Sequence, residues 1–427
     1  MKKKILCSIN ASNDLNIDLN LNKDLYVEIS KRFSKFYIIQ VNKLINKNSS
    51  TEQKIITKMP KNFIIFSPNS YIELIKFLKE NDIIAFISLG RSFVYFKLLF
   101  LLKKYNCKLL INLNIGYTNP ASNRFFFKKN IFISIKNFIK YLFERKISFI
   151  IFRFLVLVKV LPKIEILFEG SKKNTLIINN YISKKIKKYF KKLDISYIKK
   201  AIHVNCRSYD MAIDKIKNRE EKYITFLDSG FDHPDIILRE GKQADDDRKK
   251  YYFYLDNILK ILKKSFNKEI VICLHPKTDI KTIKNFIPKY KFVKFRTQYY
   301  ICKSYLVLFH DTSAIIDAVF LNKKILSLQS NVLGEYYKKT SAFYTSLINI
   351  PALKMENYRK LDKNFLKKNF LLKNIRYDNY IKDLITFDVN NYNKIIKNRV
   401  IYSKKIEIEK GSKQIIKIIK NQFFDVK

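Results

Sequence analysis

Residues Tyr305 to Leu328 read YLVLFHDTSAIIDAVFLNKKILSL. The apolar run Tyr305–Phe309 is followed by four polar residues, His310-Asp311-Thr312-Ser313. An apolar stretch of helical length spans Ala314–Leu321, and a second short run occupies Lys324–Leu328. Short apolar runs bounded by polar turn residues have the length of buried strands. The segment between them is long enough for the helical crossover that parallel strands require. The stretch therefore reads as strand, helix, strand, the repeating unit of an α/β protein with a parallel sheet.

The same alternation continues outward. Tyr223–Leu227 reads as a strand ending in Asp228-Ser229-Gly230-Phe231-Asp232-His233-Pro234. Asp246–Phe266 reads as a long helix, Glu269–Leu274 as a strand ending at His275-Pro276, Thr278–Phe286 as a short helix and Lys291–Phe295 as a strand. Towards the N terminus, strands are expected at Lys4–Ile9, Phe36–Val41, Phe63–Phe66, Ile83–Ile87, Lys108–Leu113, Ile164–Phe168 and Ala201–Val204. Helical patterns fall at Ser70–Glu80 and Ser92–Tyr105, and an apolar helical region covers residues 125–162. The expected organisation is a first α/β domain over 1–204 and a polar crossover over 205–222. A second α/β domain follows over 223–390, then a helical tail over 391–427 packing across both. Open parallel sheets bind ligands outside the carboxyl ends of their strands, so the two domains should face each other across a ligand-binding cleft.

Composition excludes several classes. A chain of 427 residues, 47% hydrophobic, can bury two or three cores, and 7 glycines with 8 prolines rule out collagen-like or Gly/Pro-rich disordered chains. The formal charge of +47 comes mostly from lysines spread along the whole sequence. A nucleic-acid footprint is a patch or stripe, so no specific nucleic acid is expected as partner; anionic substrates and an anionic membrane leaflet are favoured. Five scattered cysteines without a CxxC pair indicate neither a zinc knuckle nor a disulfide framework, and fit a reducing, cytoplasmic setting. The apolar Ile5–Ile9 is too short for a signal-peptide core. Ile147–Leu161, carrying Arg153 and Lys159, is too short and too charged to span a bilayer. Preceded by Lys136, Lys140, Arg145 and Lys146, it reads as a buried helix or one resting on a membrane surface. Asp245-Asp246-Asp247 opens a helix and complements its dipole, so no metal is expected there.

Candidate chemistry gathers in the second half. Three of the four histidines, His233, His275 and His310, follow predicted strands. Pro276 biases His275 towards an extended conformation at the strand tip, where an imidazole can donate to a phosphate oxygen. Thr312 or Ser313 can cap the helix that follows, leaving amides directed at an anion, and His310 precedes them. Asp317 lies one turn beyond Ser313 and can accept from ribose hydroxyls. Asp232 and His233 are the candidates for a general base. Asp14, Asp18 and Asp24, in loops expected after the first strand, are the competing candidates.

The stretch Asp311–Leu326 resembles the phosphate- and ribose-binding segment of GT-B glycosyltransferases, with Asp317-Ala318 and Ile325-Leu326 in matching places. His275-Pro276 together with Thr312-Ser313 resembles the His-Pro and Ser/Thr-Ser motifs of bacterial sialyltransferase-like and Kdo-transferase-like enzymes. The pair is also similar to those of CDP-glycerol glycerophosphotransferases of teichoic acid synthesis. Asn322-Lys323-Lys324 stands where such enzymes have Gly-Lys-Pro. The resemblance covers about residues 220–330. It implies two Rossmann-like domains and a CMP-, CDP- or UDP-activated donor used without a metal or other cofactor. It implies donor phosphate at His275, Thr312 and Ser313, and ribose at Asp317; His310, just before them, is a further candidate for donor phosphate. The implied acceptor is a growing capsule, lipopolysaccharide or other lipid-linked glycan. Phosphopolyol transfer and a non-catalytic nucleotide-binding module are the alternatives.

Overall fold

A computed structural model of the chain describes residues 2–11, 15–45, 59–89, 93–113, 147–170, 197–210, 221–229, 245–276, 278–371, 377 and 409–425. The described elements fall into two compact units.

The first unit holds seven strands: β1 (Lys3–Asn10), β2 (Phe36–Gln40), β3 (Phe63–Phe66), β4 (Asn81–Ile87), β5 (Lys108–Leu113), β6 (Ile164–Glu169) and β7 (Ile198–His203). They pair in the order β3-β2-β1-β4-β5-β6-β7, every pair parallel. β1 shows why its sequence is a near-continuous apolar run. Ile5, Cys7 and Ile9 belong to the core on one face of the sheet and Leu6 to the core on the other. Successive side chains of a strand point to opposite faces, and here helices cover both.

The second unit holds β8 (Tyr223–Leu227), β9 (Glu269–Cys273), β10 (Lys291–Val293), β11 (Ser304–Phe309), β12 (Lys324–Gln329) and β13 (Ala352–Lys354). Its order is β10-β9-β8-β11-β12-β13, again all parallel. Counted from its own first strand, each sheet follows the 3-2-1-4-5-6 order of a doubly wound nucleotide-binding domain. The chain is an α/β protein with two Rossmann-like domains.

Several boundaries differ from the sequence expectation. β10 stops at Val293 because Phe295 has φ of 59°, a left-handed conformation that cannot continue a strand. Asp18 and Asp24 lie not in loops but in the helices Leu15–Leu21 and Lys23–Arg32. The helix Gly334–Ile348 and the edge strand β13 have no expected counterpart. Residues 125–146 of the expected apolar helical region lie outside the described residues, whereas Ser148–Leu157 is a helix as expected.

The described part of the tail packs into the first unit. The helix Gly411–Ile419 inserts Ile415, Ile416 and Ile419 into the core formed by Leu25, Tyr26 and Ile29. The Asn205 amide donates to Gln414 Oε1 (2.9 Å), and Asn205 Nδ2 to the Glu409 carbonyl (2.9 Å). The backbones approach so closely here that a Cβ at Gly411 would run into the Asn205 carbonyl.

Candidate functional site

In the second unit the strand order reverses direction between β8 and β11, the place at the carboxyl edge where open α/β sheets bind their ligands. Both tips are tied down. The Asp311 amide donates to Ser229 Oγ (3.0 Å), bridging from the β11 tip to the β8 tip. On the other side, buried Asp228 accepts at Oδ2 from the His275 amide (3.2 Å) and from the Thr278 hydroxyl (2.8 Å). A Thr278 amide to His275 carbonyl bond (2.9 Å) closes the turn around Pro276. Lys294 Nζ donates to the Pro276 carbonyl (3.2 Å), bringing a cation to the same edge. His275 is half-buried at this position.

Thr312 and Ser313 begin a tight turn. The amides of Ile315, Ile316 and Asp317 donate to the carbonyls of Thr312 (3.3 Å), Ser313 (3.1 Å) and Ala314 (3.1 Å). Thr312 Oγ1 accepts from the Ala314 amide (3.2 Å), a local turn ahead of the helix rather than the expected cap, since the N-cap position is Ala314. Ser313 is exposed and Thr312 half-exposed.

His310 does not join them at the surface. Its ring is fully buried, with Nδ1 2.6 Å from the Leu328 carbonyl and Nε2 2.9 Å from the Tyr251 hydroxyl. A carbonyl can only accept, so Nδ1 carries the proton and Nε2 accepts from Tyr251. Burial pushes the imidazole down to about 4. Through these two bonds His310 ties the β11 tip to β12 and to the helix Asp245–Phe266. Asp317 is likewise buried, on the helix Ile315–Phe320, all of whose residues are buried. A carboxylate in a first helical turn is favoured by the dipole, and that position, rather than a surface-facing one for ribose, is where the fold puts it. Asp232 and His233 lie outside the described residues.

Two features escaped the sequence. One is Phe295, an aromatic 40% exposed in left-handed backbone conformation, just past the Lys294 that reaches the Pro276 turn. Non-glycine residues rarely hold that conformation, and strain of this kind concentrates at functional sites. The other is a polar cluster at the carboxyl edge of the first sheet. Asp18 Oδ2 accepts from Tyr26 Oη (2.7 Å), and Asp18 Oδ1 accepts from Asn22 Nδ2 (2.9 Å). Asn112, just inside the end of β5, donates to Asn22 Oδ1 (3.2 Å). Burial raises the Asp18 carboxyl against these hydrogen bonds, and raises Tyr26 well above its usual range. Pairing Asn22 with Asn112 depends on strand order, which no local pattern reveals.

No family model and no curated protein matches the sequence. Among solved structures, the wall teichoic acid polymerase TagF aligns over 93% of this chain and 90% of its own, at 12% identity and a TM-score of 0.50. A His-to-Asn variant of that polymerase aligns over 99% and 90%, at 13% identity and the same score of 0.50. The likeness is one of fold. It is the GT-B fold, with two Rossmann-like domains in a single chain. A UDP-GlcNAc 2-epimerase from Methanocaldococcus jannaschii aligns over 99% of this chain and 100% of its own, at 12% identity and a TM-score of 0.47.

Proposed function

We propose that the second domain holds the phosphates of a nucleotide-activated donor at the tips of β8, β9 and β11. The chain then transfers the activated group to a growing surface polysaccharide or other lipid-linked glycan. One observation carries this reading: Asp228 and Ser229, adjacent on one strand tip, brace the His275 turn on one side and the Asp311–Ser313 turn on the other. Two strand spacings separate β9 from β11, about 10 Å. A diphosphate lying across β8 meets an imidazole at one end and hydroxyls with backbone amides at the other. In this reading Phe295 offers a ring face to the nucleotide base. Of Asp232 and His233, which follow β8 in the sequence, one takes the acceptor's proton while the donor bond electrons leave with the phosphate oxygen.

A second reading is transfer of a phosphopolyol from a CDP-linked donor. The polar groups at the strand tips suit phosphate and none is specific to a sugar ring, and the structurally similar TagF is by name a teichoic acid polymerase. The products separate the two. A UDP- or GDP-sugar releases the nucleoside diphosphate and a CMP-sugar releases CMP, each leaving a glycosidic bond in the product, whereas a CDP-polyol releases CMP and leaves a phosphodiester in the polymer.

The test is a thermal-shift panel of CMP, CDP, UDP, GDP and ADP. One nucleotide should raise the melting temperature, and His275→Ala and Ser313→Ala should each lose most of that rise. If every nucleotide leaves melting unchanged, or both variants respond like the parent, the phosphate site is elsewhere. Binding without turnover of any matching donor would favour the non-catalytic module.

A further inference from the structure

The helix Ser148–Leu157, SFIIFRFLVL, is apolar apart from Ser148 and Arg153. Such helices belong in a core or in lipid. Among its described side chains one stripe is fully buried, Ser148, Phe152 and Val156, each four residues apart. On the far side Ile150 is 55% exposed and Phe154 59%, followed by exposed Val158 and Val160. A second exposed apolar group, Phe93, Val94 and Phe100, belongs to the same unit. The two are linked by rings, Phe93 to Phe96 at 5.2 Å and Phe96 to Phe152 at 6.3 Å.

Charge says what covers this face. Neither Phe93–Lys108 nor Ile147–Lys163 contains an acidic residue, while they hold Lys97, Lys103, Lys104, Lys108, Arg153, Lys159 and Lys163. A two-fold contact with a second copy would set these cations against themselves, since an isologous interface is self-complementary. A bilayer with anionic headgroups meets both the apolar centre and the cationic rim. At ten residues the helix is too short to cross one.

We infer that this face of the first domain docks on an anionic lipid surface, the helix Ser148–Leu157 lying in the membrane plane. The inference stands apart from the donor site and does not depend on it. The chain lacks tryptophan, so Phe154→Trp creates a single reporter. With the full-length protein, phosphatidylcholine vesicles containing phosphatidylglycerol should blue-shift its emission. A Phe253→Trp control, at an exposed site of the second unit, should not move.

A chain of this net charge can adhere to anionic vesicles by charge alone, so binding is also measured at high salt. There, Ile150→Ser with Phe154→Ser should weaken vesicle binding about tenfold or more with melting unchanged, as both side chains are exposed. Three results would overturn the inference: equal high-salt binding by this variant and the parent, no emission shift, or conversion of a dimer to a monomer with vesicle binding intact.

Discussion

His310 shows how a single residue divides sequence from structure. Together with His275 it ends an apolar strand run and precedes a helix, and nothing local tells the two apart. Tyr251 and Leu328, distant in sequence, draw one ring inside. Its titration makes a prediction. An unfolded chain titrates this histidine near 6.5, the folded one near 4. Between these values the unfolded chain binds a proton that the folded chain does not. Stability is therefore complete above about pH 6.5 and falls by up to about 3 kcal/mol as pH drops towards 4. Urea midpoints across that range should show the slope, and His310→Gln, less stable at neutral pH, should flatten it. Phe295 predicts the opposite balance. Asparagine tolerates the left-handed region, so Phe295→Asn should change stability by less than about 1 kcal/mol. If the ring stacks on a base, nucleotide affinity should fall about tenfold, read by calorimetry with the nucleotide that stabilises the parent. Unchanged affinity would remove Phe295 from the site.

At the scale of elements, the strands were the most legible, because both sheets are covered on both faces and their strands must be apolar runs. Helix ends were harder to see in a chain with few glycines. Among the described residues, four of the six non-glycine residues at positive φ are asparagines, Asn106, Asn267, Asn322 and Asn349. Asparagine thus serves as the left-handed cap where glycine is usual, Asn322 among them. The helix Gly334–Ile348, rich in Tyr, Lys, Ser and Thr, carries little helical periodicity and was not expected. The tail was legible as a helix, but its docking place was not. Gly411→Ala should expose that docking, because the new methyl meets the Asn205 backbone, not a side chain that can rotate away. A loss of about 2–4 kcal/mol is expected in urea denaturation, against a few tenths for Ser→Ala on an exposed surface.

Across the whole molecule, the five cysteines test the packing of both units together. All are buried. Burial drives Cys107 and Cys273 up to about 12, and Cys7 well above its ordinary value. A thiol reagent needs the thiolate, so the native protein should show essentially no reaction, and the denatured chain should show all five thiols. Prompt labelling of any one under native conditions would mean that its core is open. Taken alone, the sequence determined the class, the strands and the turns that could bear chemistry, because run length, period and turn residues are local properties. Strand order belongs to the tertiary structure: it set the switch point between β8 and β11, buried His310 and Asp317, and joined Asn22 to Asn112. Which tips converge depends on packing between segments far apart in the chain, and that packing is encoded only in the sum of all contacts.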